Sequence, residues 1–211
     1  MDSGRTYIAV AGNIGAGKST LVDWLCKTYG IQPFFEPNEA NPYLEDFYDD
    51  MLRFGFHSQI FFLSHKFRIH QELDQTPGVI VQDRTIFEDS EIFATALHRS
   101  KKMTDRDFAT YQDLYKTICT SISPPDLMIY LRCPLRTLKK RIKLRGRAME
   151  QDIPHAYLKL LDELYEDWVS RYQGELVIID TGKLDYLSDL LHRLDVMQCI
   201  EKHLPPASSQ P

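Results

Sequence analysis

The sequence predicts an α/β fold in which a five-stranded parallel sheet carries helices on both faces. Three observations lead there. Apolar runs short enough to be buried strands occur five times, as "TYIAVA", "QPFFE", "GVIVQD", "DLMIYL" and "ELVIID", and continuous apolar runs are what a sheet covered on both sides requires. Stretches with helical spacing separate them, which favours parallel strands joined by crossovers. The first run leads directly into "GNIGAGKST", and sheets of this kind take ligands beyond the carboxyl ends of their strands.

That first junction is the most specific. Gly12, Gly17, Lys18 and Ser19 follow the spacing G-x-x-x-x-G-K-[ST], and Leu21, Trp24, Leu25 and Tyr29 then fall at helical spacing. The loop therefore joins a strand to a helix N-terminus, where free N–H groups and the helix dipole favour an anion. Residues Gly12, Asn13, Ile14, Gly15, Ala16, Gly17, Lys18, Ser19 and Thr20 are expected to cradle nucleotide phosphates. The second strand ends "FFEP", which puts Glu36 on the same rim. The third ends "VQDR", placing Asp83 where an acid shares Mg²⁺ with the loop hydroxyl, here Ser19, and Arg84 beside it.

A long helix is expected from about Phe54 to Leu73, on which Gln59, Leu63 and Lys66 share one face. Thr104 with Asp107 has the spacing of a capping box that opens a helix toward Ser121. After the fourth strand, six of the nine residues from Lys139 to Arg147 are basic. Arg141 and Arg145 lie one helical turn apart, and Gly146 ends the helix before Arg147. Forked guanidiniums on such a segment suit the charge spread over a phosphoryl group in flight, as in an Arg-rich kinase lid.

The chain has 211 residues, with 25 Lys plus Arg against 30 Asp plus Glu and a net charge of −5. An acidic balance argues against a general polyanion binder, so no nucleic acid is expected as partner. Cys26, Cys119, Cys133 and Cys199 have no metal-ligand or C-x-x-C spacing, and no apolar stretch is long enough for a membrane span or a signal peptide. The expectation is a reduced, cytoplasmic protein.

The blocks "GNIGAGKST", "FFEP", "NPYLEDFYDDM", "SQIFFLSHKFR", "QDRTIFEDSEIFA", "RIKLRGRAMEQDIP" and "AYLKLLDELYEDW" together resemble the deoxyribonucleoside kinase family, most of all its bacterial deoxyadenosine/deoxyguanosine kinases. The resemblance runs from about Tyr7 to Trp168. It implies a P-loop kinase fold, one kinase domain over residues 1–204 followed by a flexible tail at 205–211, a homodimer, and transfer of the γ-phosphate of ATP, with Mg²⁺, to the 5′-hydroxyl of a deoxynucleoside. It further implies that Glu36 is the general base, that Arg84 lies beside the reacting oxygen, and that Lys18, Arg145 and Arg147 act on the phosphates with Arg141 nearby. By the same resemblance Gln59 and Asp89 read the base, Phe93 stacks on it, and Tyr48 and Glu166 hold the sugar 3′-hydroxyl.

Two departures bear on the base. Lys66 stands where the family usually has an arginine, which keeps the charge and loses the bidentate fork. Gly55, in "FGF" where relatives carry "W-S-F", is expected to loosen the acceptor pocket. Deoxyadenosine ranks first as acceptor, with deoxyguanosine and deoxycytidine as alternatives. A nucleoside-monophosphate kinase or a non-catalytic ATP switch would share the P-loop, but converging acidic residues disfavour an acceptor that already carries a phosphate.

Overall fold

The computed structural model describes residues 5–182 together with Gln198, Ile200, Glu201 and Leu204. The tail expected at 205–211 and Cys199 lie outside the described residues. All five expected strands form: β1 (Arg5–Ala11), β2 (Gln32–Phe34), β3 (Gly78–Asp83), β4 (Leu127–Arg132) and β5 (Leu176–Asp180). They pair in the order β2-β3-β1-β4-β5, every pair parallel. β1 is central and buried on both faces. Its residues alternate between two cores, Tyr7, Ala9 and Ala11 on one side and Ile8 and Val10 on the other, as the pleat demands. β2 is an edge strand of three residues, and Pro33, which has no N–H to give a ladder, is tolerated there. Glu36 consequently lies two residues past the strand rather than at its last position.

Helices cover the sheet on both sides. α1 (Lys18–Tyr29) follows the glycine loop and buries Leu21 and Leu25 against the second core. The short α2 (Leu44–Asp49) precedes α3 (Met51–Gln75). α3 is longer at both ends than apolar spacing predicts, and at its start Asp50 accepts a hydrogen bond from the Arg53 N–H, which begins the helix at Met51. After β3 the chain passes through α4 (Ile86–Glu88), a π-helical turn (Asp89–Ala94) and α5 (Thr95–Arg99). α6 (Asp105–Cys119) opens at Thr104, whose hydroxyl accepts from the Asp107 N–H as its spacing foretells. α7 (Leu135–Arg145) stops at Gly146, in the left-handed conformation with φ 71°, and α8 (His155–Ser170) follows.

Gly55 has a different role from the one expected. A Cβ on it would come 3.1 Å from the Lys102 carbonyl oxygen and 3.4 Å from Leu97 Cδ1. Glycine therefore lets α3 lie close against the chain after α5 and does not shape the acceptor cavity described below. Replacing Gly55 by Val is expected to lower stability by about 1–3 kcal/mol through overpacking while leaving the order of acceptor preference intact. Thermal unfolding and a substrate panel on that variant check both halves.

Candidate active site

The loop between β1 and α1 is held open by its own geometry. Gly15 has φ 81° and sits where a Cβ would meet Ile142 Cγ1 at 2.9 Å, and Gly17, at φ 100°, caps α1 without a side chain. Arg141 donates to the Ala16 carbonyl at 3.0 Å and also to Thr181, so it braces the loop from outside. Asn13 accepts from the Ile14 N–H and donates to the Leu158 carbonyl. Lys18 Nζ donates to the Asn13 carbonyl at 3.2 Å. Burial, with the Arg84 charge adding to it, pushes the Lys18 ammonium down to about 8. Thr20 lies half-buried in the first turn of α1.

Ser19 Oγ donates to Asp83 Oδ2 at 2.5 Å, while Asp83 Oδ1 is buried without a partner. A hydroxyl and a carboxylate oxygen beside an anion-binding loop are hard donors, and the orphaned oxygen has capacity to spare. The pair fits Mg²⁺.

Two pockets meet at Glu36, which lines both. One runs over the loop, between Lys18, Ser19, Asp83, Arg145 and Arg147. The other, which the sequence expects to take the acceptor, is lined by Tyr48, Gln59, Phe62, Asp89, Phe93 and Tyr157 among others. Glu36 receives hydrogen bonds from Arg84 Nη1 to both oxygens, at 3.1 and 3.0 Å, from Lys66 Nζ at 3.1 Å and from Asn38 Nδ2 at 3.1 Å. Burial alone would raise this carboxyl. Arg84, Lys66 and Lys18 outweigh it and hold Glu36 far below the ordinary carboxylate range. Arg84 also donates to the Gly12 carbonyl, and its guanidinium lies 4.4 Å from the Phe93 ring centroid. Its backbone, at φ 62°, occupies the left-handed region that a residue with a side chain rarely adopts.

Deeper in the acceptor cavity Lys66 Nζ donates to Asp89 Oδ1 at 2.6 Å. Asp89 Oδ2 and Gln59 Oε1 are buried and unpartnered. These are the atoms a ligand donor would satisfy. The expected site residues thus converge, with one correction. Glu166 is not at the cavity. It lies on α8, accepts from Arg132 and from the Tyr130 hydroxyl, and is partly exposed. It points outward, toward the bidentate contact with Arg132 at the end of β4. The carboxylate that faces Tyr48 is Glu150, which is buried and accepts from Arg145 and Arg147. Burial first and then the Glu150 charge keep the Tyr48 phenol protonated well above its usual range. Glu150 follows Arg147 by three residues in "RGRAME", a signal present in the sequence. Glu88 is a second buried carboxylate of the site outside the expected set. It is fully buried, accepts from the Gly12 and Thr85 N–H groups and from the Tyr165 hydroxyl, and completes a capping box with Thr85. The spacing T-x-x-E marks it.

The described residues contain no helix long and apolar enough to cross a membrane. The family model for deoxynucleoside kinases matches residues 8–205. The chain belongs to the deoxynucleoside kinase family. It is 40% identical over 173 residues to the deoxyadenosine/deoxycytidine kinase of Bacillus subtilis, covering 81% of this chain and 79% of that protein. It is likewise 40% identical to the deoxyadenosine kinase of Dictyostelium discoideum, over 79% of this chain and 69% of that one. The solved deoxyadenosine kinase of M. mycoides with bound dATP superposes with a TM-score of 0.82 at 30% identity, covering 94% of this chain and 99% of that one. As a deoxynucleoside kinase the chain is an ATP-dependent phosphotransferase on a P-loop kinase fold.

The depressed Glu36 carboxyl ties stability to pH. A group whose folded value lies below its unfolded value of 4.5 contributes stability above that pH and loses it as pH falls toward the folded value. Glu36→Gln, which mimics the protonated form, should therefore unfold at a lower temperature than the wild type at pH 7, and the gap should narrow at pH 4. Thermal unfolding of the two proteins at both pH values measures this.

Proposed function

We propose that this chain transfers the γ-phosphate of ATP to the 5′-hydroxyl of deoxyadenosine in preference to other deoxynucleosides. The observation that carries the reading is the meeting of the two cavities at Glu36, with Lys18 on one side and unpartnered Gln59 and Asp89 oxygens on the other. In this reading the loop N–H groups and Lys18 hold the β- and γ-phosphates, and Arg145 and Arg147 form the lid that meets charge on the phosphoryl group. The acceptor's 5′-oxygen lies beside Arg84. As its bond to phosphorus forms and ADP departs, its proton passes to a Glu36 oxygen. Arg84 and Lys66 keep Glu36 ionised and aimed, so positioning and electrostatics do most of the work. Ser19 and Asp83 would hold Mg²⁺, which supplies charge neutralisation between the phosphates.

Tyr48, now with Glu150 in place of Glu166, would engage the sugar 3′-hydroxyl. Phe93 would lie against the base, and Gln59 and Asp89 would meet its hydrogen-bonding edge. Asp89, when ionised, accepts only, so it favours an exocyclic amine such as that of adenine. Relatives named for deoxyadenosine and a neighbour holding dATP support the same preference. Glu36 and Asp89, which line the acceptor cavity, would oppose a phosphorylated acceptor. We place the enzyme in the cytoplasm as a homodimer, in keeping with its free Cys26, Cys119 and Cys133 thiols.

A turnover panel of the four deoxynucleosides and adenosine with ATP tests the reading. Deoxyadenosine should give the highest kcat/KM and thymidine, without an exocyclic amine, the lowest; thymidine at or above deoxyadenosine overturns the preference. In the same assay Glu36→Gln should lose about 10²-fold or more in kcat, and near-normal kcat removes Glu36 from the mechanism.

A further inference from the structure

We propose that Asp89 is a two-state reader of the nucleobase, switched by a single proton, and that Lys66 is the residue that leaves it switchable. The inference rests on the acceptor cavity being the deoxynucleoside site. Its geometric basis is the division of one ammonium between two carboxylates. Lys66 Nζ reaches Asp89 Oδ1 at 2.6 Å and Glu36 Oε1 at 3.1 Å, with its side chain wholly buried. Glu36 has a second cation in Arg84, through both of its oxygens. Asp89 has hydrogen bonds only from Lys66, and only through Oδ1, among the contacts of the described residues. Its other oxygen is buried, unpartnered and on the same cavity as the unpartnered Gln59 Oε1. Two buried acceptor oxygens on one cavity lack a donor. A base amine supplies it, or a proton on Asp89 does.

The surroundings of Asp89 bring that proton within reach of neutral pH. Lys66 faces it from α3 and favours its charge, as does Arg84 from the end of β3; Glu36, after β2, opposes it. From α6 the Tyr111 and Tyr115 phenols face it, both pushed up so that they stay neutral. Burial is the largest influence, and the balance pushes the Asp89 carboxyl up to about 7. Ionised, Asp89 can only accept, and it suits the 6-amine of adenine while repelling a 6-carbonyl. Protonated, it donates, and a carbonyl at the same position becomes a partner. An arginine at position 66 would present a fork able to occupy both Asp89 oxygens and fix the ionised state. Lysine, a point charge, leaves Oδ2 open.

The test compares deoxyadenosine with deoxyinosine, which carries a carbonyl in place of the 6-amine. Their kcat/KM ratio, taken from pH 5.5 to pH 8, cancels every titration on the phosphate side, including Lys18 and Glu88. In the wild type the ratio should rise about tenfold with pH, the scale of discrimination by one base-edge pairing. Lys66→Arg should hold it near the high-pH value throughout. Asp89→Asn, which donates and accepts as the protonated acid does, should hold it near the low-pH value. A flat wild-type ratio overturns the inference, as does a ratio that still moves in Asp89→Asn, and one that moves in Lys66→Arg as in the wild type removes Lys66 from it. Turnover of neither nucleoside by the wild type at any pH would instead sink the nucleoside-kinase reading itself.

Discussion

Everything at the centre of this protein depends on the pairing of Glu36 with Arg84. Both side chains are almost fully buried, and neither charge would be tolerable there alone, because an unpaired ion in a protein interior costs several kcal/mol. Paired, they set the position of every neighbour. Arg84 reaches Glu36 from a left-handed backbone conformation directly after β3, a strained geometry that persists only where surrounding contacts over-determine it. Those contacts are present. Its N–H donates to the Val10 carbonyl, its guanidinium donates to the Gly12 carbonyl, and the Phe93 ring supports the guanidinium from its face. Strain at one residue is offset by three elements closing on it.

Glu88 extends this arrangement to the phosphate side. Its carboxylate accepts from the Gly12 N–H and stands 4.0 Å from Arg84 Nε, while Tyr165 of α8 donates to it at 2.8 Å. The first glycine of the loop is thus gripped at both its polar groups, N–H by Glu88 and carbonyl by Arg84. The phosphate loop and the Glu36 carboxylate are therefore fixed to a common support. A phosphoryl transfer, which depends on the distance between donor phosphorus and acceptor oxygen, gains from such a shared frame.

Much of this was legible from the sequence, for physical reasons that differ by element. The strands were readable because a doubly covered sheet needs continuous apolar runs, and the loop because only glycines at its spacing allow its turns. Thr104 was readable because a cap is a local event. Glu166 was misassigned for the opposite reason. Its partners Arg132 and Tyr130 are more than thirty residues away in the chain, and nothing in the local pattern of α8 tells an outward ion pair from an inward ligand. Gly55 was misread similarly, since the carbonyl that requires it belongs to Lys102. Glu150 and Glu88 had local signals, three residues after an arginine and after a threonine, but carboxylates at such spacings are common on exposed helices and acquire meaning only once burial is known.

The division of labour among the buried cations explains why a lysine suits position 66. Under the proposed mechanism Glu36 has to stay ionised to receive a proton, and Arg84 secures this with bonds to both oxygens. A second fork aimed at the same carboxylate would compete with Arg84 for lone pairs already in use. A lysine adds charge through one more hydrogen bond and has N–H groups left to reach Asp89. The ammonium therefore reaches both the Glu36 and the Asp89 carboxylates without displacing the pair on which the site is built. The consequence is an asymmetry: Glu36 is held by two cations and is fixed in charge, whereas Asp89 keeps a single hydrogen-bonded cation and an open oxygen. In the proposed mechanism, recognition is thus left adjustable where catalysis is not.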